Sequence, residues 1–199
     1  MISQSSLTEM VTQSRDVISN PSVPTFERYE HRGTMANAGV YIGIAAVVSA
    51  VLGLIGALLP GPPNASIGGV IGSLLTALTQ FFVFTGMVYF LGKNMYGGSG
   101  TWDEVAYTFS LFIAPLIVLG AVIGLVVNLF AWVPLINILV GFVAAIVGIL
   151  LLLVQIFYGY LAVQSSMNLR NQTQAVIVLV LSFVGSAVIM GMISLVFRF

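Results

Sequence analysis

Three runs without a formal charge set the architecture of this chain. Residues 33–92, between Arg32 and Lys93, span 60 positions; residues 105–169, between Glu104 and Arg170, span 65; residues 171–197 span 27. One bilayer crossing takes about 20 apolar residues, range about 17–25. The first two runs are each too long for one crossing and long enough for two with a turn, and the third fits one. Five spans follow.

Charged residues make up 6% of the chain and hydrophobic residues 59%, against about 25% and 45–50% in soluble domains. Such a chain has no charged surface to turn toward water. The fold class is therefore an all-α integral membrane protein: a bundle of five transmembrane helices preceded by short amphipathic N-terminal helices. Zero net charge and the absence of cysteine exclude a nucleic-acid binder and a disulfide-stapled module.

Turn residues divide the long runs. Pro60-Gly61-Pro62-Pro63-Asn64 cannot continue a helix, because prolines remove amide donors. Gly97, Gly98 and Gly100 mark an aqueous loop, and Trp132 with Pro134 marks another turn. The spans are predicted near 36–59, 67–91, 104–130, 135–162 and 175–197, forming a domain over 36–199 behind an arm over 1–35. Lys and Arg in short loops set the orientation. An N-terminus inside places Arg15, Arg28, Arg32, Lys93 and Arg170 on the inner side and only Arg198 outside. All seven tyrosines then fall on the inner half, where they are expected to anchor in the headgroup layer.

The arm has no contiguous apolar core, so it does not read as a signal peptide. Ser6-Leu7-Thr8-Glu9 has the capping-box form, and Leu7, Met10, Val11, Val17 and Ile18 fall near helical spacing, with Ser14 breaking the stripe. A helix over 6–19 is predicted to lie on the inner leaflet, ended by Asn20-Pro21. Pro24, Thr25, Phe26, Glu27 and Arg28 start a second short helix, with Phe26 and Tyr29 facing lipid. The lone His31 reads as a headgroup-level polar residue.

The predicted spans hold no Asp, Glu, Lys, Arg or His, which argues against a pump or ion-coupled carrier. Their polar positions include Gln80 and Gln155, read as interhelical glue or as the lining of a polar cavity. Small residues four apart (Gly39 and Gly43, Gly120 and Gly124, Ala144 and Gly148 among them) suggest close helix packing. No nucleophile–base pair, metal cluster or phosphate-binding pattern is present. No enzyme, cofactor or metal is predicted. Asp103 and Glu104 sit at a helix start, where acids favour the dipole, and Pro115 is expected to kink the third span.

Asn20-Pro21 and Pro24-Thr25-Phe26-Glu27 lead into the first span. The second ends in Gly97-Gly98-Ser99-Gly100-Thr101-Trp102-Asp103-Glu104, followed by Tyr107 and Pro115. In these features the chain resembles the Yip domain family, the Ypt/Rab-interacting polytopic membrane proteins. The resemblance implies five spans, a cytosolic N-terminus and a C-terminus on the far side. Eukaryotic members carry a much longer cytosolic N-terminal region, so the resemblance is to the prokaryotic type, in a plasma membrane.

The expected function is a non-catalytic scaffold or adaptor in membrane organisation or trafficking. Its candidate surface is the loop Gly97, Gly98, Gly100, Thr101, Trp102, Asp103 and Glu104, together with the arm. The bilayer, and other membrane or cytosolic proteins at the inner face, are the expected partners, with homo-oligomerisation left open. The alternative is a permease or channel for a small neutral or weakly polar solute, built around Gln80, Gln155 and Pro115.

Overall fold

The computed structural model describes residues 6–59 and 67–197. Among these residues it is all helical, with seven helices in the order α1 (Leu7–Ser19), α2 (Val23–Glu30), α3 (Met35–Ala57), α4 (Ile67–Tyr96), α5 (Trp102–Leu129), α6 (Pro134–Ser166) and α7 (Gln172–Phe197). Five of them, α3 to α7, are long and apolar enough to cross a membrane. The proline cluster at 60–64 that separates the first two spans lies outside the described residues.

Set against the predicted ranges, three of these helices run longer at one end. α4 continues past Leu91 to Tyr96, α6 past Ala162 to Ser166, and α7 begins at Gln172. Polar side chains such as Lys93, Asn94 and Gln164 therefore stand on helices that extend beyond the apolar run. Helix α5 is continuous through Pro115, which removes one i→i−4 bond without ending the helix.

Helix α5 is the centre of the bundle. It packs most extensively on α3 and also on α6, α4, α1 and α2, while α7 packs on α4. Burial along α5 is uneven. Val105 to Phe112 and Ala114 are buried, whereas the stretch beyond Pro115 holds no buried residue. Helix α6 repeats the pattern: Tyr158 to Ser166 is mostly buried, and Leu135, Ile138, Leu139 and Phe142 are exposed. The compact core thus sits at the end of the bundle that carries the arm.

Two expectations are corrected here. Helix α1 is not a surface helix alone: one face packs onto α5 through Met10, Gln13, Ser14 and Val17. These lie at i, i+3, i+4 and i+7 of one face, so Ser14 belongs to the buried stripe, and the exposed side carries Leu7, Val11 and Ile18. Phe26 does not face lipid; it is fully buried between Phe112 and Tyr158, with ring centroids 6.2 and 6.5 Å away. Tyr29 is half-buried and bonded to Asp16. Short apolar stripes read alike whether they meet acyl chains or a protein face, and the bundle offers the protein face.

The small-residue pairs also differ from expectation. Gly39 faces Phe82, but open space lies beside Gly43, Gly120, Gly124, Gly148 and Gly191. These glycines do not bring the helices together; the buried residues of α3 are Ala38, Tyr41, Ile42, Ala45, Ala46 and Gly56.

Candidate functional site: the cap at the arm end

The cap is built from the arm and from two loops, α4–α5 and α6–α7. Helix α1 starts with the capping box anticipated from its sequence: the Ser6 amide donates to Glu9 Oε2 at 2.9 Å, and Glu9 N–H donates to Ser6 Oγ at 3.3 Å. Ser22 caps α2, accepting from the Thr25 amide at 3.4 Å, with Pro24 in the first turn, where its missing N–H costs nothing.

Three tyrosines of the spans tie the arm down. Tyr107 Oη donates to Gln13 Oε1 at 2.7 Å, Tyr158 Oη donates to the Ile18 carbonyl at 2.9 Å, and Tyr41 and Ser14 share a hydrogen bond of 2.9 Å. The expected belt of anchoring tyrosines is thus, in part, a set of buried struts. A phenol suits this role because its ring is apolar and its hydroxyl needs a partner when buried.

The α4–α5 loop shows why its glycines are there. Gly97 has φ +67°, and its N–H donates to the Lys93 carbonyl at 3.1 Å, closing α4 with a left-handed cap. Gly100 serves close packing instead, since a Cβ there would run into the Ser166 carbonyl oxygen. Of the loop's three glycines only Gly97 takes a positive φ; Gly98 and Gly100 are buried against Ser166 and Met167 of the other loop. That second loop is closed by Asn168 at φ 52°. Asn168 and Leu169 N–H groups donate to the Ser165 and Gln164 carbonyls, a Schellman ending with asparagine in place of glycine.

Thr101 caps α5 and forms a second capping box with Glu104, the two bonds being 2.7 and 3.3 Å. Trp102 donates through Nε1 to Thr85 Oγ1 at 3.4 Å. The acidic pair does more than favour its own helix dipole. Asp103 Oδ1 accepts from the Met35 amide at the start of α3 at 2.7 Å, and Glu104 Oε1 lies 2.7 Å from His31 Nδ1. His31 Nε2 lies 3.4 Å from Glu30 Oε1, and Ser165 Oγ donates to Glu30 Oε2 at 2.5 Å. One histidine therefore bridges a carboxylate from α2 and one from α5, while α6 binds the first of them. No sequence periodicity signals this cluster, because its members are 73 and 135 residues apart.

Electrostatics follow the geometry. Burial, the largest cause, raises the Glu30 pKa above its ordinary 4.5, against the lowering effects of the Ser165 hydroxyl and His31. Asp16 shifts the other way: the Tyr29 hydroxyl and then the Asn20 amide hold it below 3.8. Asp16 also pairs with Arg28 at 3.1 Å. Tyr29 is pushed up by burial and then by its bond to Asp16.

The intramembrane positions are not brought together. Gln155 is exposed on α6 and borders a cleft of about 180 Å³ with Ile113, Leu116, Ile117 and Leu151. Gln80 is half-buried on α4 and lines neither that cleft nor the wider groove beside Pro115. Among the described residues, no group of three or more His, Asp or Glu could hold a metal ion.

Comparison with curated proteins and with solved structures finds no match. Comparison with family models does: the Yip1 domain model matches residues 15–193. The match runs from within α1 into α7, taking in both loops of the cap and all five spans. The chain belongs to the Yip1 domain family and is a polytopic, integral membrane protein.

Proposed function

We propose that this protein is a non-catalytic membrane scaffold or adaptor, and that the cap is its working surface, facing the cytosol. One observation carries the reading. The arm's seven charged residues meet Lys93, Asp103, Glu104 and Arg170 at one end of the bundle, eleven of the twelve charges in the chain. Buried bonds to α3, α5 and α6 hold that end in place. A preorganised polar surface binds with a smaller loss of ordering entropy than a loose arm. Five of the chain's six cations are at this end, which favours a cytosolic location.

On this reading the arm over 1–35 works as part of the domain over 36–199. Pro24, Thr25, Phe26 and Glu27 position it, and Gly97 to Glu104 complete the surface. The role in organising membranes or trafficking, in a prokaryotic plasma membrane, extends the same proposal.

Two experiments test it. The chain has no cysteine, so Arg170→Cys and Leu135→Cys report sidedness to an impermeant thiol reagent on intact cells. Labelling of Arg170→Cys would invert the orientation and end the cytosolic reading. Reversing the exposed Arg32, Lys93 and Arg170 to Glu should abolish crosslinking to cytosolic or membrane partners while thermal unfolding stays unchanged. An unaltered crosslinking pattern would end the adaptor reading.

A further inference from the structure

A groove of about 590 Å³ runs between α1, α3 and α5, within the size range of ligand sites, about 300–1,000 Å³. Its two ends differ. Toward the middle of the bundle the walls are apolar: Ile44 and Val48 from α3, and Pro115, Leu119 and Val122 from α5. Most of these are partly exposed, so the groove opens sideways to where acyl chains lie. From Ala114 to Val122 the α5 wall is about 12 Å long at 1.5 Å per residue.

At the arm end the groove is lined by Ser14, Arg15 and Ser19, with the apolar Val11 and Ile18 beside them. Arg15 lines it, is exposed, and has no hydrogen bond or ion pair among the described residues. Its neighbour Asp16 forms its ion pair with Arg28 instead, with Asn20 and Tyr29 also donating to it. Ser14 and Tyr41 also line the mouth and share one hydrogen bond. Two hydroxyls sharing one bond leave one O–H to donate elsewhere. The mouth thus offers an unopposed guanidinium and a spare hydroxyl proton, with an apolar slot directly behind them.

From this arrangement we infer a binding site for an anionic phospholipid, with its phosphate on Arg15 and the Ser14–Tyr41 pair and one acyl chain along the α3–α5 groove. Arginine matches phosphate oxygens with a planar fork of donors. The order of polar mouth and apolar slot is the order of headgroup and chain in a leaflet. Charge complementarity selects an anionic lipid over a zwitterionic one, whose ammonium would meet Arg15 unfavourably. The site is independent of whether the cap binds a protein.

The test uses the full chain in nanodiscs of phosphatidylcholine containing a minor fraction of phosphatidylglycerol with the same acyl chains. Lipids retained on release are counted by native mass spectrometry. Wild type should retain phosphatidylglycerol in preference. Arg15→Gln should reduce that preference about five-fold, matching roughly 1 kcal/mol for one basic residue at a membrane surface, and Arg15→Lys should restore part of it. Leu119→Trp, which fills the slot from an exposed position, should lower retention of both lipids. Arg170→Gln, at the same end but outside the groove, should change nothing. Inorganic phosphate should compete only weakly, because the chain supplies part of the affinity. Equal preference in wild type and Arg15→Gln, an equal loss in Arg170→Gln, undiminished retention in Leu119→Trp, or full displacement by phosphate would each overturn the inference.

Discussion

The two ends of α5 and α6 are made of similar residues and live in different surroundings. At the arm end, Phe109, Phe112, Tyr158 and Leu161 are buried among side chains from several helices. At the far end, Leu129, Phe130, Leu135 and Phe142 are exposed. Lipid tails are as apolar as leucine, so burial gains little between membrane helices, and the far end can leave its side chains to the bilayer. The arm end reaches water. There α1, α2 and the two loops cover most of the apolar side chains and bond most of the buried polar groups. The difference teaches that the cap folds by the rules of a soluble core, whereas the rest of the bundle folds by those of a membrane.

The largest expected effect comes from aromatic truncation. Phe26→Ala should cost about 3–5 kcal/mol, the usual range for a fully buried phenylalanine, in detergent unfolding followed by circular dichroism. Phe142→Ala, at 65% exposure, should cost under about 0.5 kcal/mol. Equal losses would break the comparison.

Glycine substitution comes next. Gly100→Ala forces a methyl against the Ser166 carbonyl and should cost about 1–3 kcal/mol by overpacking. Gly120→Ala has open space beside it and should be neutral or stabilising by up to about 1 kcal/mol. Thermal midpoints of the two variants measured side by side decide this.

A smaller and more local change is expected from Tyr107→Phe. It strips Gln13 Oε1 of its Tyr107 donor and should cost roughly 1–2 kcal/mol. Hydrogen exchange should quicken in α1 while the exposed half of α6 is unaffected. A uniform change along the chain would mean that the arm is not a separate cooperative layer.

The smallest effect is a pH dependence confined to the cap. Because burial raises the folded-state pKa of Glu30 above 4.5, its ionised form weakens docking. That penalty is absent well below 4.5, grows as pH rises from there through the raised value, and is constant above it. Asp16 has the opposite sign: its contribution is present above 3.8 and is lost as pH falls through its lowered value. Glu30→Gln, which keeps an acceptor for Ser165, should gain stability relative to wild type as pH rises from below 4.5 through the raised value. A constant difference across that window would assign Glu30 no titrating role.

Much of this is legible in the residues. The Ser6/Glu9 box, the turn at Gly97 and the helix start at Asp103 and Glu104 all depend on neighbours within three or four positions, and each stands where its pattern says. Phe26, Ser14 and His31 defeat a local reading for one reason. Each owes its environment to a residue far away in sequence: Phe112 and Tyr158, Tyr41, and Glu104. A stripe that meets lipid and a stripe that meets protein have the same spacing, so no local pattern separates them.

By itself the sequence determined the number of spans, their approximate ends and the side on which charge collects. Backbone groups in hydrocarbon must be satisfied within each segment, so apolar runs and turn residues suffice to place membrane helices. Only the tertiary structure decided that the arm docks, that three tyrosines hold it, and that Arg15 is left unopposed at the mouth of a groove. Those outcomes rest on long-range contacts between groups that water or lipid would otherwise have taken, and their energies are set by which surfaces meet.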